Sequence, residues 1–520
     1  MNFVKCLFLV LFVFSTLLLN TAFGQEKSNR IVVNADLGEE TISKFIYGHF
    51  AEHLGRCIYG GIYVGEDSNI PNTRGIRNDV VNALKEIAPS VVRWPGGCFA
   101  DTYHWKDGIG PTDQRPSIVN THWGGVTEDN SFGTHEFLDF CELIGAEPYI
   151  CANVGSGTVQ EAAEWVEYVN SNAKSPMTEL RKKNGREEPW KVKYWAVGNE
   201  SWGCGGNMTP DYYADLYKRF STFMRAGRPY RVASGGTDPD FEWTETVLKK
   251  TQKFRNLIQG YSFHYYTFCH GWNDKTAATQ FTENDWFYTM KNTLVMEERL
   301  ERHIALMDEY DPDNRIGLIA DEWGNWFWVE PGTNPGFLYQ QNTVRDAVTA
   351  ALYLNIFNNH SRRVKMANIA QFVNVLQAMI LTKDEQIVKT PTFYVFKMYK
   401  VHHDATLLPV DITCDDYKYE DMTLPSISAS ASKDKNGVIH LSLCNIDMNK
   451  SRNVEIDLRG TDKLSKSSGE IITSAKENDF NDFGQPEKVN IKKFSSFSVK
   501  NNILKVDLPA KSVVTIELKK

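Results

Sequence analysis

The sequence predicts a (β/α)8 barrel of the TIM type joined to an all-β, jelly-roll-like sandwich. Three observations carry this. Between Phe45 and about His402, strand-sized apolar runs alternate with helix-period stretches through eight units. After about Ala405 that rhythm stops, and period-two alternation takes over in Val438-Ile-His-Leu-Ser-Leu and Val513-Val-Thr-Ile-Glu-Leu. The first run leads into Gly48-His-Phe-Ala-Glu-His, without the glycine-rich phosphate loop that a doubly wound open sheet would want.

Taken in order, residues 1–24 read as a secretory signal. Lys5 precedes an apolar run from Cys6 to Leu19, and Ala22-Phe23-Gly24 supplies a small-x-small cleavage pattern. The run is too short to span a bilayer, and no later segment could. The expectation is export, to the periplasm or the exterior, with no membrane attachment once the signal is removed. Residues 25–43 hold a strand, Ile31-Val-Val-Asn-Ala, expected to join the sandwich.

The barrel is assigned to residues 44–404. Its strands are read at Phe45–Phe50, Ser90–Trp94, Pro148–Asn153, Val192–Gly198, Tyr230–Ser234, Tyr261–Tyr265, Arg315–Ala320 and Met366–Phe372. The stretches between them are helical. Glu161-Ala-Ala-Glu-Trp-Val-Glu-Tyr-Val has amphipathic spacing, and Thr209-Pro210-Asp211 is a helix start. His402-His403-Asp404 is expected as the charged end of the last helix. Residues 405–520 form the sandwich.

Composition narrows the function. The chain has 520 residues, with 57 basic and 65 acidic, a formal charge of −8. That balance disfavours a nucleic-acid partner. Of nine cysteines one lies in the signal, and the other eight are too sparse for a disulfide scaffold. One or two bridges are allowed, with no pairing indicated. Thirteen tryptophans suit sugar stacking as well as a large core.

In a barrel the site forms at the C-terminal ends of the strands. Strand four ends Tyr194-Trp-Ala-Val-Gly-Asn199-Glu200, and strand seven ends Leu318-Ile-Ala-Asp321-Glu322-Trp323. Two carboxylates facing each other across a barrel mouth are what glycoside hydrolysis requires: one protonates the leaving oxygen, the other attacks or activates water. Other strand ends carry groups that bind hydroxyls: Glu52 after strand one, Arg93-Trp-Pro-Gly-Gly-Cys98 after strand two, His264-Tyr265-Tyr266 on strand six and Gln371 on strand eight. Trp123 could stack on a ring. Two motifs point elsewhere. His49-Phe-Ala-Glu52-His53 matches an H-x-x-E-H zinc-peptidase motif, but Gly48 and Gly55 leave no room for the helix it needs. Asn199-Glu-Ser201 matches a glycosylation acceptor, but at the floor of the site.

Arg93-Trp-Pro-Gly-Gly-Cys-Phe-Ala-Asp-Thr-Tyr-His-Trp-Lys-Asp-Gly-Ile-Gly-Pro111, Trp195-Ala-Val-Gly-Asn-Glu-Ser-Trp-Gly203 and Ala320-Asp-Glu-Trp-Gly324 resemble the α-L-arabinofuranosidases of glycoside hydrolase family 51, a family of the clan A retaining glycosidases. The resemblance covers nearly the whole chain after the signal. It implies an enzyme releasing terminal, non-reducing α-L-arabinofuranosyl residues from arabinan, arabinoxylan or arabinogalactan by double displacement. It implies Glu200 as acid/base and Glu322 as nucleophile. It further implies Asn199 at the sugar 2-hydroxyl, Glu52 on the furanose hydroxyls, His264 and Tyr266 as the strand-six pair, Gln371 as the strand-eight ligand and Trp123 as an aromatic wall. No cofactor or metal is implied, and homo-oligomers are common in the family. Cys98 stands where many members have Asn, so it is expected either as a poor sugar contact or as a buried small residue. The rival readings are another clan A retaining glycosidase (a β-xylosidase or an endoglucanase), a non-catalytic glycan-binding protein and the zinc peptidase.

Overall fold

The computed structural model describes residues 29–254 and 256–520, so the segment read as a signal lies outside the described residues. Eight parallel strands close on themselves as expected. Around the barrel they run Gly48–Phe50, Val91–Trp94, Glu147–Ala152, Tyr194–Val197, Tyr230–Ala233, Gly260–Thr267, Gly317–Asn325 and Val364–Ala370, the last pairing with the first. The first strand is shorter than its apolar run. Lys44–Tyr47 forms a 3-10 turn, capped by Ser43 accepting from the Phe45 N–H. The strand begins at Gly48, where a Cβ would come within 2.5 Å of Val91 and 2.7 Å of the Ala367 carbonyl. Only glycine lets strand one settle this closely between strands two and eight.

Each strand is followed by a helix that covers it. Thr209 caps Pro210–Phe223 by accepting from the Tyr212 N–H, with Pro in the first turn, as the local sequence predicts. The same Ser/Thr-Pro signal at Ser175 starts a helix, Pro176–Lys183, that the strand-and-helix rhythm does not announce. A short hairpin, Ile380–Lys383 with Gln386–Lys389, is likewise additional.

The sandwich packs a five-stranded sheet against a six-stranded one. Asn29–Asn34 lies inside the smaller sheet, parallel to Arg452–Arg459 and antiparallel to Val410–Thr413. Ile31, Val33, Leu441, Ile456, Leu504 and Ile516 fill the space between the sheets. The helix Val344–Asn359 joins the two halves. Its residues from Val344 to Asn358 are all buried, because it touches barrel strands seven and eight on one side and the sheet strands Ile427–Lys433 and Ile439–Asn445 on the other. Polar tethers add direction: Asn358 Nδ2 donates to Ser430 Oγ at 3.2 Å, and Trp286 Nε1 to the Ile446 carbonyl at 2.9 Å.

One expectation fails here. His402 and His403 are not a charged helix end. Both are held well below the ordinary histidine range by burial, His402 at about 3 and His403 at about 4. The His402 ring bridges Ser432 Oγ at 2.7 Å and Ser442 Oγ at 2.6 Å, on neighbouring sandwich strands. It is a neutral hydrogen-bonded link between barrel and sandwich. Replacing it by Phe leaves both hydroxyls unpaired. His402→Phe should therefore lose about 1–3 kcal/mol of stability in a denaturant titration. A folded value below the unfolded 6.5 means that His402 costs stability as pH falls below 6.5. The variant should accordingly lose less stability than the parent between pH 6.5 and 4.

Candidate active site

The barrel mouth is shaped by irregular pairing where chemistry is needed. Consecutive residues of a regular strand face opposite ways. The register slips between Ala320 and Trp323 on strand seven and between Ser262 and His264 on strand six. The slip on strand seven lets both Asp321 and Glu322 turn into the barrel. Strand four ends differently. Gly198 and Glu200 both take positive φ, 87° and 40°, so the chain folds back and holds Glu200 over the mouth. A left-handed Glu costs backbone energy that the surrounding structure must supply.

Arg93, on strand two, organises the floor. It is 1 % exposed. Its Nη1 donates to Glu322 Oε1 at 2.7 Å, its Nη2 to Asn199 Oδ1 at 2.5 Å, and its Nε lies 3.4 Å from Asp321 Oδ2. Its plane also covers the Phe50 ring. The neighbouring Asp321 and Glu322 charges offset the burial penalty and hold the guanidinium above its ordinary range. Asp321 is buried too, yet Arg93 and His264 bring it down to about 2.

His264 is the second cation. Its Nδ1 is 3.0 Å from Glu200 Oε1 and 3.6 Å from Glu322 Oε2, and its Nε2 is 3.3 Å from Asp321 Oδ1. Desolvation alone would lower it, but Glu322, Asp321 and Glu200 together raise it to about 10. Tyr266 donates its hydroxyl to Glu322 Oε2 at 2.8 Å. One oxygen of Glu200 and one of Glu322 lie within 4.8 Å of each other.

Glu52 lies beyond this pair. Oε1 accepts from Trp123 Nε1 at 2.9 Å and from the Phe99 N–H at 3.1 Å, and Oε2 accepts from Gln371 Nε2 at 3.3 Å. Burial, with Glu322 nearby, pushes it up to about 8. The Gly96-Gly97 pair is more than a turn. A Cβ on Gly96 would meet Glu52 at 2.8 Å, and one on Gly97 would come within 3.2 Å of both Glu52 and Glu322.

Glu52, Cys98, Trp123, Glu200, His264, Tyr266, Glu322 and Gln371 line one cavity of about 500 Å³. Asn199 lies behind it, its side-chain oxygen Oδ1 accepting from Arg93. Cys98 differs from its expectation as a thiol beside the sugar. It is bonded to Cys204, 106 residues away, and a disulfide sulfur has no proton to donate. Its sulfur faces Glu200 Oε2 at 4.0 Å. The two histidines of the H-x-x-E-H segment do not converge. His49 stacks on Phe372 at 4.3 Å and His53 on Phe99 at 4.6 Å, in separate buried aromatic nests. Asn199 is 1 % exposed, which bars a glycan.

The sequence places Arg93 only among hydroxyl-binding groups at a strand end, not as the organiser of the floor, and singles out neither Asp101 nor the outer tryptophans. Asp101 accepts from the N–H groups of Val154, Gly155 and Asn199, tying together the loops after strands two, three and four. Trp202, Trp272 and Trp326 wall the outer cavity with Phe268. The available signal was their recurrence just past strands four, six and seven.

Two family models match the chain. Alpha-L-arabinofuranosidase C-terminal domain covers residues 321–512, and Alpha-L-arabinofuranosidase 1 domain covers residues 83–285. An intracellular exo-alpha-L-arabinofuranosidase from Bacteroides ovatus is 54% identical over 96% of this chain and 99% of its own length. The alpha-L-arabinofuranosidase C of Emericella nidulans is 34% identical, over 84% of this chain and 88% of its own. A solved GH51 arabinofuranosidase from Xanthomonas axonopodis pv. citri superposes with a TM-score of 0.93 at 46% identity, covering 95% of this chain and all of that one. The Thermotoga maritima alpha-L-arabinofuranosidase in complex with arabinose gives 0.83 at 32%, covering 94% and 99%. The chain belongs to the family 51 α-L-arabinofuranosidases.

The same comparison corrects the expected export. The Bacteroides ovatus relative, matched over nearly its whole length, is an intracellular enzyme, so periplasmic or extracellular placement is withdrawn.

Two outcomes follow for this arabinofuranosidase. Lysine cannot reproduce the three-way fork of Arg93, so Arg93→Lys should lower kcat/KM about 100-fold or more. His264 has a folded value near 10, above the unfolded 6.5. The stability it contributes is whole below pH 6.5 and is lost as pH rises through about 10. Melting temperatures of the parent should fall more steeply than those of His264→Gln across that window.

Proposed function

We propose that Glu322 and Glu200 carry the hydrolysis by double displacement with retention. The activity is exo-α-L-arabinofuranosidase, acting on arabinose-containing glycans. The observation that supports these roles best is the separation. One oxygen of Glu200 and one of Glu322 lie within 4.8 Å of each other, which suits the ~5–5.5 Å carboxyl spacing of retaining glycosidases.

In the first step a Glu322 oxygen bonds to the anomeric carbon as the glycosidic C–O bond breaks. Glu200 gives its proton to the departing oxygen. Arg93 and Tyr266 donate to the two Glu322 oxygens, which suits a carboxylate because it only accepts. The product is an arabinosyl ester of Glu322. In the second step Glu200 takes a proton from water, the hydroxyl oxygen bonds to the anomeric carbon, and Glu322 leaves as carboxylate. Glu52, Gln371 and Trp123 make the inner end of the cavity and are suited to a terminal furanose. The outer aromatic wall suits the leaving sugar chain. We infer plant arabinan, arabinoxylan or arabinogalactan, or their oligosaccharides, as the source of that chain.

Glu322→Ala should abolish turnover in a protein that still folds, as its circular dichroism would show. Glu200→Ala should lose about 100-fold or more on an arabino-oligosaccharide and far less on an aryl arabinofuranoside with a good leaving group. Equal losses on the two substrates would remove the acid role from Glu200. Product analysis on the three polymers would identify the natural one.

A further inference from the structure

The Cys98–Cys204 bond sits directly on Glu200. Glu200 Oε2 lies 3.5 Å from Cys204 Sγ and 4.0 Å from Cys98 Sγ. The two sulfurs come from the loops after strands two and four, and both cysteines are partly exposed, with Cys98 lining the cavity. Among the described residues the other cysteines are buried, apart from Cys414 in the sandwich. Those cysteines are free thiols, so among the described residues Cys98–Cys204 is the bond a small reductant entering the site can cut.

We propose that, once this bond is reduced, Cys98, Cys204 and Glu200 form a binding site for a soft divalent cation such as zinc or cadmium, and that the cation silences the enzyme by occupying the Glu200 carboxylate. The second half rests on the acid/base role given to Glu200 above. In a tetrahedral zinc site, Zn–S bonds of ~2.3 Å and Zn–O bonds of ~2.0 Å put neighbouring ligand atoms roughly 3.5–3.7 Å apart. The 3.5 Å distance from Glu200 Oε2 to Cys204 Sγ already matches that edge, and the 4.0 Å distance to Cys98 Sγ exceeds it by a few tenths of an ångström. All three donor atoms lie within 4.8 Å of one another. The Cα atoms are 5.4 Å apart, so the freed sulfurs can part to the same edge without moving the backbone. His264 holds the other oxygen of Glu200 at 3.0 Å, as an outer partner holds a ligating carboxylate. The open cavity supplies the fourth, water-filled position.

The chemistry needs two steps. A trialkylphosphine takes oxygen from water and becomes its oxide, and its two electrons cleave the S–S bond to two thiols. The cation then displaces both thiol protons and binds the thiolates. As a disulfide the pair has no thiolate to offer, so the bond keeps the acid/base free of metal.

The test uses the full-length protein, reduced anaerobically with a trialkylphosphine and freed of it. Cadmium is the binding probe, and zinc is the inhibitor in hydrolysis of an arabino-oligosaccharide, the substrate that needs the Glu200 proton. The reduced enzyme should bind one equivalent of cadmium with an ultraviolet sulfur-to-cadmium band. One equivalent of zinc should lower its turnover about 100-fold, reversed by a chelator. The oxidised enzyme should show neither effect. Cys98→Ser and Cys204→Ser should each lose the band and the zinc sensitivity, scored as the ratio with and without metal in the same variant. Inhibition that survives both substitutions would overturn the site and move the metal elsewhere, for instance to the Cys269, His270 and Asp285 cluster. No cadmium band after reduction would overturn the site and leave the role of Glu200 standing. A band with undiminished turnover would overturn the silencing, and the Glu200→Ala comparison on the two substrates then judges the role of Glu200 separately.

Discussion

The barrel mouth concentrates negative charge where water is scarce, and one buried guanidinium makes this tolerable. Glu52, Asp321 and Glu322 are all at most 5 % exposed, with Glu200 beside them. An isolated buried carboxylate is too costly to keep ionised, so each must be paired, hydrogen-bonded or neutral. The structure uses all three solutions. Asp321 is paired with Arg93 and His264 and held near 2. Glu322 takes donors on both oxygens. Glu52, hydrogen-bonded but without a close cation, is pushed to about 8 and is mainly neutral at neutral pH. The two charges of Arg93 and His264 then balance those of Asp321 and Glu322. Glu200 sits beside this set, with His264 Nδ1 3.0 Å from its Oε1.

That balance accounts for features that look unrelated along the chain. The slip on strand seven is needed because Arg93 must meet two consecutive acids, Asp321 and Glu322. The Gly96-Gly97 pair is needed because a Cβ there would enter the space of Glu52 and Glu322. Asn199 is buried behind Glu200 because its side-chain Oδ1 satisfies the third direction of the Arg93 fork. A lysine in place of Arg93 would neutralise as much charge but could not address three partners in a plane.

The architecture and the two facing glutamates were legible because strand ends in a barrel are predictable positions and short-range patterns mark them. The rest depended on long-range geometry. Arg93 stood inside a quoted motif, but a strand residue shows its partners only when the barrel closes and brings position 321 beside position 93. The Cys98–Cys204 pairing joins two loops whose motifs each show a single cysteine and nothing of its partner. His402 looked like a charged helix end because the sequence does not show that Ser432 and Ser442 pack on it from another domain. Pro176–Lys183 was within reach, since Ser175-Pro176 carries the same start signal as Thr209-Pro210.

The loops after strands two and four are connected twice. The covalent link is Cys98–Cys204. The second link is Asp101, whose carboxylate accepts from Asn199 at 3.0 Å and from Val154 and Gly155 at 2.7 Å each. Gly205 confirms how tight this second link is, because a Cβ there would come within 2.8 Å of Asp101 and 1.9 Å of the Asn199 carbonyl. Cutting the disulfide therefore removes one of two constraints and leaves the backbone of both loops fixed by the other. The scaffold does not need the bond to keep Glu200 in place. What the bond changes is the chemistry of the two sulfurs beside Glu200, and the hydrogen-bonded Asp101 is what keeps them there in either redox state.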